Sequence, residues 1–360
     1  MLSVLHLLGR SADEQTREMH RMLSCEIGPG FSSLTRSIRP GGDYRHVPAA
    51  VLGLKRELER KDADITFAWG LAALAAAVIA GRRRIFFSPD GFAGPRAIRW
   101  IRALMSRGNV VMICPTHTQH RVAISRGIDP ARCRVIPPGV DFGKIQRRPD
   151  ATAHASLRFK LGLAEKDFVL IAPGESTLQT AHDQAVWTTG ILHVLDSSYK
   201  LLIWGRGSRA IATAELGNRL KQPELVKMAE KPASGQQYDF ASLLPIADAC
   251  LVTAGGTAPT LPIATAMAAG VPIISTVTYT HSELLEDRHT ALMVPRRSPR
   301  ALAQRVLDLR QDPALAAKLT DTARAEAYEH FSMMRMLEKY REEMMSAACR
   351  VQNEEVPQTL

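Results

Sequence analysis

Short, unbroken apolar runs alternate with longer segments of helical periodicity along almost the whole chain. In the first half the runs at residues 4–8, 65–69, 85–88, 110–114 and 134–136 are separated by helix-like stretches at 14–23, 71–80, 95–105 and 118–126. Strands that are apolar on both faces belong to parallel sheets covered by helices, so the alternation predicts a doubly wound α/β domain. Residues 26–44, rich in Gly, Ser and Pro, are expected to form an irregular loop bordering a cleft. Pro137-Pro138-Gly139 stops the last strand, because proline cannot donate to a ladder and glycine admits a tight turn.

After a polar stretch at 144–155 the pattern restarts, with strands expected at 168–172, 200–204, 225–228, 249–253, 272–276 and 291–294 and helices between them. Two such blocks make two Rossmann-like doubly wound domains, and open α/β sheets take ligands at the carboxyl ends of their strands, here in the cleft the domains face. The expected boundaries are 1–148, 149–330, a closing helix at 331–350 with Met336, Leu337, Tyr340 and Met344 on one face, and a frayed tail at 351–360.

Composition narrows the class. A chain of 360 residues with 46% hydrophobic content suffices for two cores. The richest apolar stretch, 71–80, is shorter than the ~18 residues of a membrane span and runs into Arg82-Arg83-Arg84. Residues 1–9 lack a basic segment ahead of their apolar run and read as a first strand, which leads to the expectation of a cytoplasmic protein. Five cysteines, mostly in apolar context and without a CxxC pair, are expected to be reduced core thiols. The net charge of +10 favours anionic partners. Arg96, Arg99, Arg102 and Arg107 with Trp100 and Ile101 form a basic amphipathic segment suited to peripheral contact with an anionic membrane, or a solvated helix face. Nucleic acid is not expected, since no recognition helix or aromatic platform accompanies the charge. His117 and His120 have one-turn spacing but no evident carboxylate partner, so no metal site is expected.

The motifs that carry chemistry come in order. Residues 134–141 read RVIPPGVD, residues 201–208 LLIWGRGS, and residues 248–274 form a strand, turn, helix, glycine, strand unit containing Gly255-Gly256-Thr257 and AMAAGVP. Glu283-Leu284-Leu285-Glu286-Asp287 precedes ALMVP, and FSMMRMLEKY at 331–340 opens the closing helix. Together these resemble the family 4 retaining glycosyltransferases. The resemblance implies the GT-B fold, with a last helix that crosses back to the first domain. It also implies transfer of a hexose from a nucleotide-diphosphate sugar to a lipid-linked or saccharide acceptor, with retention and without a metal or other cofactor.

The same register exposes departures. The family's Glu-x7-Glu pair falls on Thr257 and Thr265, and its Arg and Lys after the first strand of the second domain fall on a segment offering Glu175 and Thr180. A lost charge-assisted hydrogen bond to phosphate is worth roughly 1.5–3 kcal/mol. Substitutes are expected from the amides of Gly255, Gly256 and Thr257 ahead of a helix starting near Thr260, and from Arg206, beside Gly205, or Arg209. His182 is a candidate for donor oxygens or a surface imidazole. Gly9, after the first strand, is a candidate cleft residue. Asp90 stands where the resemblance places a sugar-site His, or caps its turn; Glu283 matches a retained family Glu, or caps its helix. The other reading is a catalytically degenerate homologue with a binding or regulatory role.

Overall fold

The computed structural model describes residues 1–9, 12–38, 63–89, 95–146, 151–205, 207–229, 238–255 and 260–352. Asp90, Arg206, Gly256 and Thr257 lie outside them. The chain divides into two compact units, Met1–Pro137 with Met333–Leu360, and Pro138–Ser332.

In the first unit the elements run β1 (Leu2–Gly9), α1 (Glu14–Glu26), β2 (Phe31–Ile38), β3 (Ile65–Trp69), α2 (Leu71–Ile79), β4 (Ile85–Ser88), α3 (Pro95–Met105), β5 (Val110–Cys114), α4 (His117–Ser125) and β6 (Cys133–Val135). The second unit adds α5 (Phe142–Gln146), α6 (Ala151–Lys160), β7 (Phe168–Ala172), α7 (His182–Leu195), β8 (Tyr199–Ile203), α8 (Ala210–Arg219), β9 (Val226–Met228), α9 (Phe240–Leu243), β10 (Ala249–Val252), α10 (Thr260–Ala269), β11 (Ile273–Thr276), α11 (His281–Leu284), β12 (Leu292–Val294), α12 (Pro299–Gln311) and α13 (Pro313–His330). The closing helix α14 (Met333–Gln352) belongs to the first unit.

Each unit holds a six-stranded parallel sheet, ordered β2-β1-β3-β4-β5-β6 in the first and β12-β11-β10-β7-β8-β9 in the second. The apolar strands are buried on both faces: every residue of β3, β10 and β11 is buried. Renumbered within its unit, the second sheet has the 3-2-1-4-5-6 order of the dinucleotide-binding folds, and its direction of winding reverses between β7 and β10. That reversal opens a crevice at the carboxyl ends of those two strands.

One expectation fails. Residues 31–38, expected in a loop, form β2, paired with β1 from Leu2↔Phe31 to Gly9↔Ile38. As an edge strand with half its residues exposed, β2 has no reason to be apolar, and its Ser, Thr and Arg positions hide it from a pattern search. Within the polar stretch 144–155, α5 ends at Gln146 and α6 begins at Ala151.

The closing helix is held by its apolar face. Met336, Leu337, Tyr340 and Met344 are buried, and the Tyr340 ring lies 5.7 Å from that of Phe67 on β3. Arg134 Nε meets Glu343 Oε1 at 2.9 Å, and Arg341 donates to the Ile27 carbonyl. The largest side chains of the first core, Trp69, Phe67, Phe86 and Phe87, are fully buried, so α14 completes this core.

Candidate functional site

The crevice of the second unit is built from backbone. After β7 the chain runs Pro173-Gly174-Glu175-Ser176-Thr177-Leu178-Gln179-Thr180-Ala181 into α7. The Thr180 hydroxyl donates to the Glu175 carbonyl at 2.6 Å and accepts from the Thr177 amide at 2.9 Å, closing the loop on itself. Ala181 adopts a left-handed conformation, φ 51°, to turn the chain into the helix. Thr180 is therefore a loop-forming residue whose single proton is already committed.

His182 lies beneath this loop, 2% exposed. Its Nε2 is 3.2 Å from the Pro173 carbonyl, which can only accept, so Nε2 carries the proton and Nδ1 accepts from Ser176 Oγ at 2.9 Å. Burial pushes its pKa down to about 4, keeping the ring neutral. The expectation that His182 binds donor oxygens is corrected: both nitrogens are used to pin the loop from below.

The turn after β8 lies flat against the loop after β7. Gly205 has φ +102°, and a Cβ there would stand 2.5 Å from the Gly174 carbonyl oxygen; Gly207, φ +141°, would meet the Ser176 oxygen at 2.5 Å. The Arg209 amide donates to the Ser176 carbonyl at 2.9 Å. Gly205 thus serves close backbone approach, and the Arg209 side chain stands exposed beside the crevice.

On the β10 side, Thr253 Oγ1 donates to the Thr180 carbonyl at 2.9 Å, and the Gly255 amide donates to the Gln179 carbonyl at 2.8 Å. That second bond corrects another expectation, because the Gly255 N–H is spent on the neighbouring loop and is not one of the donors facing an anion. The helix α10 does begin at Thr260, as expected for the unit that follows β10. Thr265 is 8% exposed and donates to the Leu261 carbonyl at 2.7 Å, one turn back. Its proton is thus committed to its own helix, and its oxygen keeps only acceptor lone pairs for any contact with a donor.

Glu175 is half-buried in the loop after β7. Glu283 is exposed in the first turn of α11 after β11, where the Thr278 Oγ1 accepts from the His281 amide at 3.1 Å. In the first unit, Gly9 ends β1 beside the corresponding reversal between β1 and β3, and its carbonyl accepts from the Ala12 amide at 3.0 Å. Among the described residues no group of three His, Cys, Asp or Glu side chains is placed to hold a metal ion.

One residue of this cluster escaped the sequence reading. Arg296, after β12, places Nη1 2.6 Å from the Gly255 carbonyl. The two are 41 positions apart, and only the strand order β12-β11-β10 brings them together.

Two parallel sheets of this kind, the second wound in nucleotide-binding order, define a GT-B glycosyltransferase architecture. The chain belongs to the group 1, family 4 glycosyltransferases: residues 9–144 match the family model for Glycosyltransferase Family 4, and residues 180–312 match that for Glycosyl transferases group 1. It is similar to EpsD of Bacillus subtilis, 26% identical over 183 residues, which is 51% of this chain and 46% of EpsD; the match spans about half the length of that relative. Among solved structures, HepE of Anabaena, determined in complex with UDP and glucose, shares 16% identity over 96% of this chain and 100% of that one, with a TM-score of 0.79. Sucrose-phosphate synthase of Thermosynechococcus elongatus shares 15% over 96% and 100%, with a TM-score of 0.75. At these identities the likeness concerns the fold.

Proposed function

We propose that the chain transfers a hexose from a nucleotide-diphosphate sugar to a saccharide or lipid-linked acceptor, with retention at the anomeric carbon and without a metal ion. The observation that carries this reading is the crevice at the β7/β10 reversal, where the loops after β7, β8 and β10 interlock by backbone hydrogen bonds. Rigid loops at that point suit a diphosphate held by oriented donors. HepE in complex with UDP and with UDP-glucose supports the donor class. In this reading the bond from the anomeric carbon to the diphosphate breaks, the acceptor oxygen bonds on the same face, and the acceptor proton leaves with the diphosphate. The chain's task is to stabilise the departing negative charge.

The test is to supply UDP-glucose, UDP-N-acetylglucosamine and GDP-mannose with and without a mixed saccharide and lipid acceptor fraction, and to follow nucleoside diphosphate release and the product anomer by proton NMR. We expect release from one donor, an α product from an α donor, and no loss of rate with a chelator. A β product or chelator-sensitive release contradicts the mechanism, and binding without release supports the degenerate reading.

The acceptor side includes the outer face of α3. Ile98, Ile101 and Met105 are buried in the first unit, so Ile101 is a core residue and not part of the outward face. Trp100, 65% exposed, stands outside with Arg99, Arg102 and Arg107. An exposed tryptophan among arginines suits an anionic lipid surface, at about 1 kcal/mol for each basic residue near it. Trp100→Ala is expected to weaken flotation with anionic vesicles several-fold at low salt and leave the melting temperature unchanged; equal flotation of variant and wild type contradicts this contact. No helix among the described residues is long and apolar enough to cross a membrane.

A further inference from the structure

Any diphosphate lying at the β7/β10 reversal meets a loop with the wrong charge. Residues 173–181 contain Glu175 and no Lys or Arg, and the next residue, His182, is buried and neutral. The positive end of a helix dipole supplies only about half a charge. A cation has to come from another strand end.

The strand order delivers one. The loop after β12 turns back through Arg297, whose φ of 59° is in the left-handed region, and Arg296 reaches across the end of β11 to the end of β10. There its Nη1 donates to the Gly255 carbonyl at 2.6 Å, while the Gly255 amide donates to the Gln179 carbonyl at 2.8 Å. A single line of hydrogen bonds thus runs from β12 through β10 to the loop after β7. It fixes a guanidinium at the residue where the segment leading into α10 begins. Arginine has five N–H donors in a rigid fork, so one bond to a carbonyl orients the group without exhausting it. Arg296 is exposed, so its remaining donors are open to a solute.

A second, independent observation comes from the start of α10 itself. Thr260, the first residue of α10, is 1% exposed, and its hydroxyl has no hydrogen-bond partner among the described residues. A buried hydroxyl without a partner is disfavoured by about 1–3 kcal/mol and calls for an explanation, such as a group that binds there.

We propose that Arg296, anchored on the Gly255 carbonyl, is the cation that positions the donor diphosphate at the start of α10, in place of the cations that the loop after β7 lacks. The proposal rests on the donor reading above and names a binding residue within it. Arg296 pairs its charge with the phosphate oxygens, and the Thr260 hydroxyl donates to the same group.

The test uses the full chain and calorimetric titration with UDP, GDP, ADP and inorganic pyrophosphate at low and high salt, for wild type, Arg296→Gln and Arg296→Lys. We expect wild type to bind one nucleoside diphosphate, Arg296→Gln to bind it about ten- to a hundred-fold more weakly with a shallower salt dependence, and Arg296→Lys to recover much of the loss. The corresponding nucleoside should bind wild type and Arg296→Gln alike. Equal diphosphate affinity in wild type and Arg296→Gln overturns the inference and leaves the donor reading intact. Equal loss in the Gln and Lys variants also overturns it, since it points to a lost loop contact and not a lost charge. No binding of any nucleotide by folded wild type at millimolar concentration overturns the donor reading and the inference with it.

Discussion

Lowering the pH from 6.5 to 4.5 is expected to remove about 4 kcal/mol of stability from the second unit through two histidines, His182 and His281. Burial pushes each of their pKa values down to about 4. His281 is fully buried, with Nδ1 2.6 Å from the Thr276 carbonyl, so that proton is on Nδ1, and its Nε2 has no partner among the described residues. Between pH 6.5 and 4 the unfolded chain carries protons on both rings while the folded chain does not. Stability contributed by the neutral rings is therefore present at neutral pH and is lost as the pH falls through this window. Asp248, held above the usual carboxylate range by burial, works the other way at the acidic end. Urea unfolding at pH 7.5, 6.0 and 4.5 measures the slope, and His182→Gln with His281→Gln should flatten it, at some loss of stability at neutral pH. An unchanged slope in the double variant contradicts the assignment.

Gly205→Ala is expected to damage the crevice severely. The new carbon would stand 2.5 Å from the Gly174 oxygen, 2.7 Å from its carbonyl carbon and 2.9 Å from the Glu175 nitrogen, all backbone atoms without a rotamer to change. The residue is also at φ +102°, where side chains are strained. Positive-φ strain plus overlap gives about 3 kcal/mol or more, and the loop after β7 must shift to relieve it. Nucleotide affinity should fall along with the urea midpoint. Gly255→Ala is the internal control: among the described residues no atom lies within 4 Å of its added carbon, and its φ is not positive, so its stability should change by less than about 0.5 kcal/mol. Equal midpoints for the two variants would contradict the interlocked-loop geometry.

The two Rossmann-like sheets were legible because their strands are buried on both faces. Runs such as ITFAW at β3 and FVLIA at β7 admit few other readings. The edge strand β2, FSSLTRSI, was not legible, because it faces solvent and pairs with β1 alone. The same contrast holds at the candidate site. Gly205 and the start of α10 near Thr260 could be placed from turn and helix-start signals. What those groups bond to could not: whether the Gly255 amide is open, or His182 is buried under its own loop, depends on which strand ends are neighbours. Arg296 illustrates the limit, since it reads as one of two surface arginines ahead of a helix until the strand order brings it to Gly255.

The crevice between β7 and β10 is where a nucleoside diphosphate should bind. Amide hydrogen exchange with and without saturating UDP or GDP locates that event directly. Exchange is expected to slow in residues 173–181, 205–209 and 253–260, concentrated in the second unit. Protection confined to the first unit, or none in the presence of a nucleotide shown to bind, would contradict it.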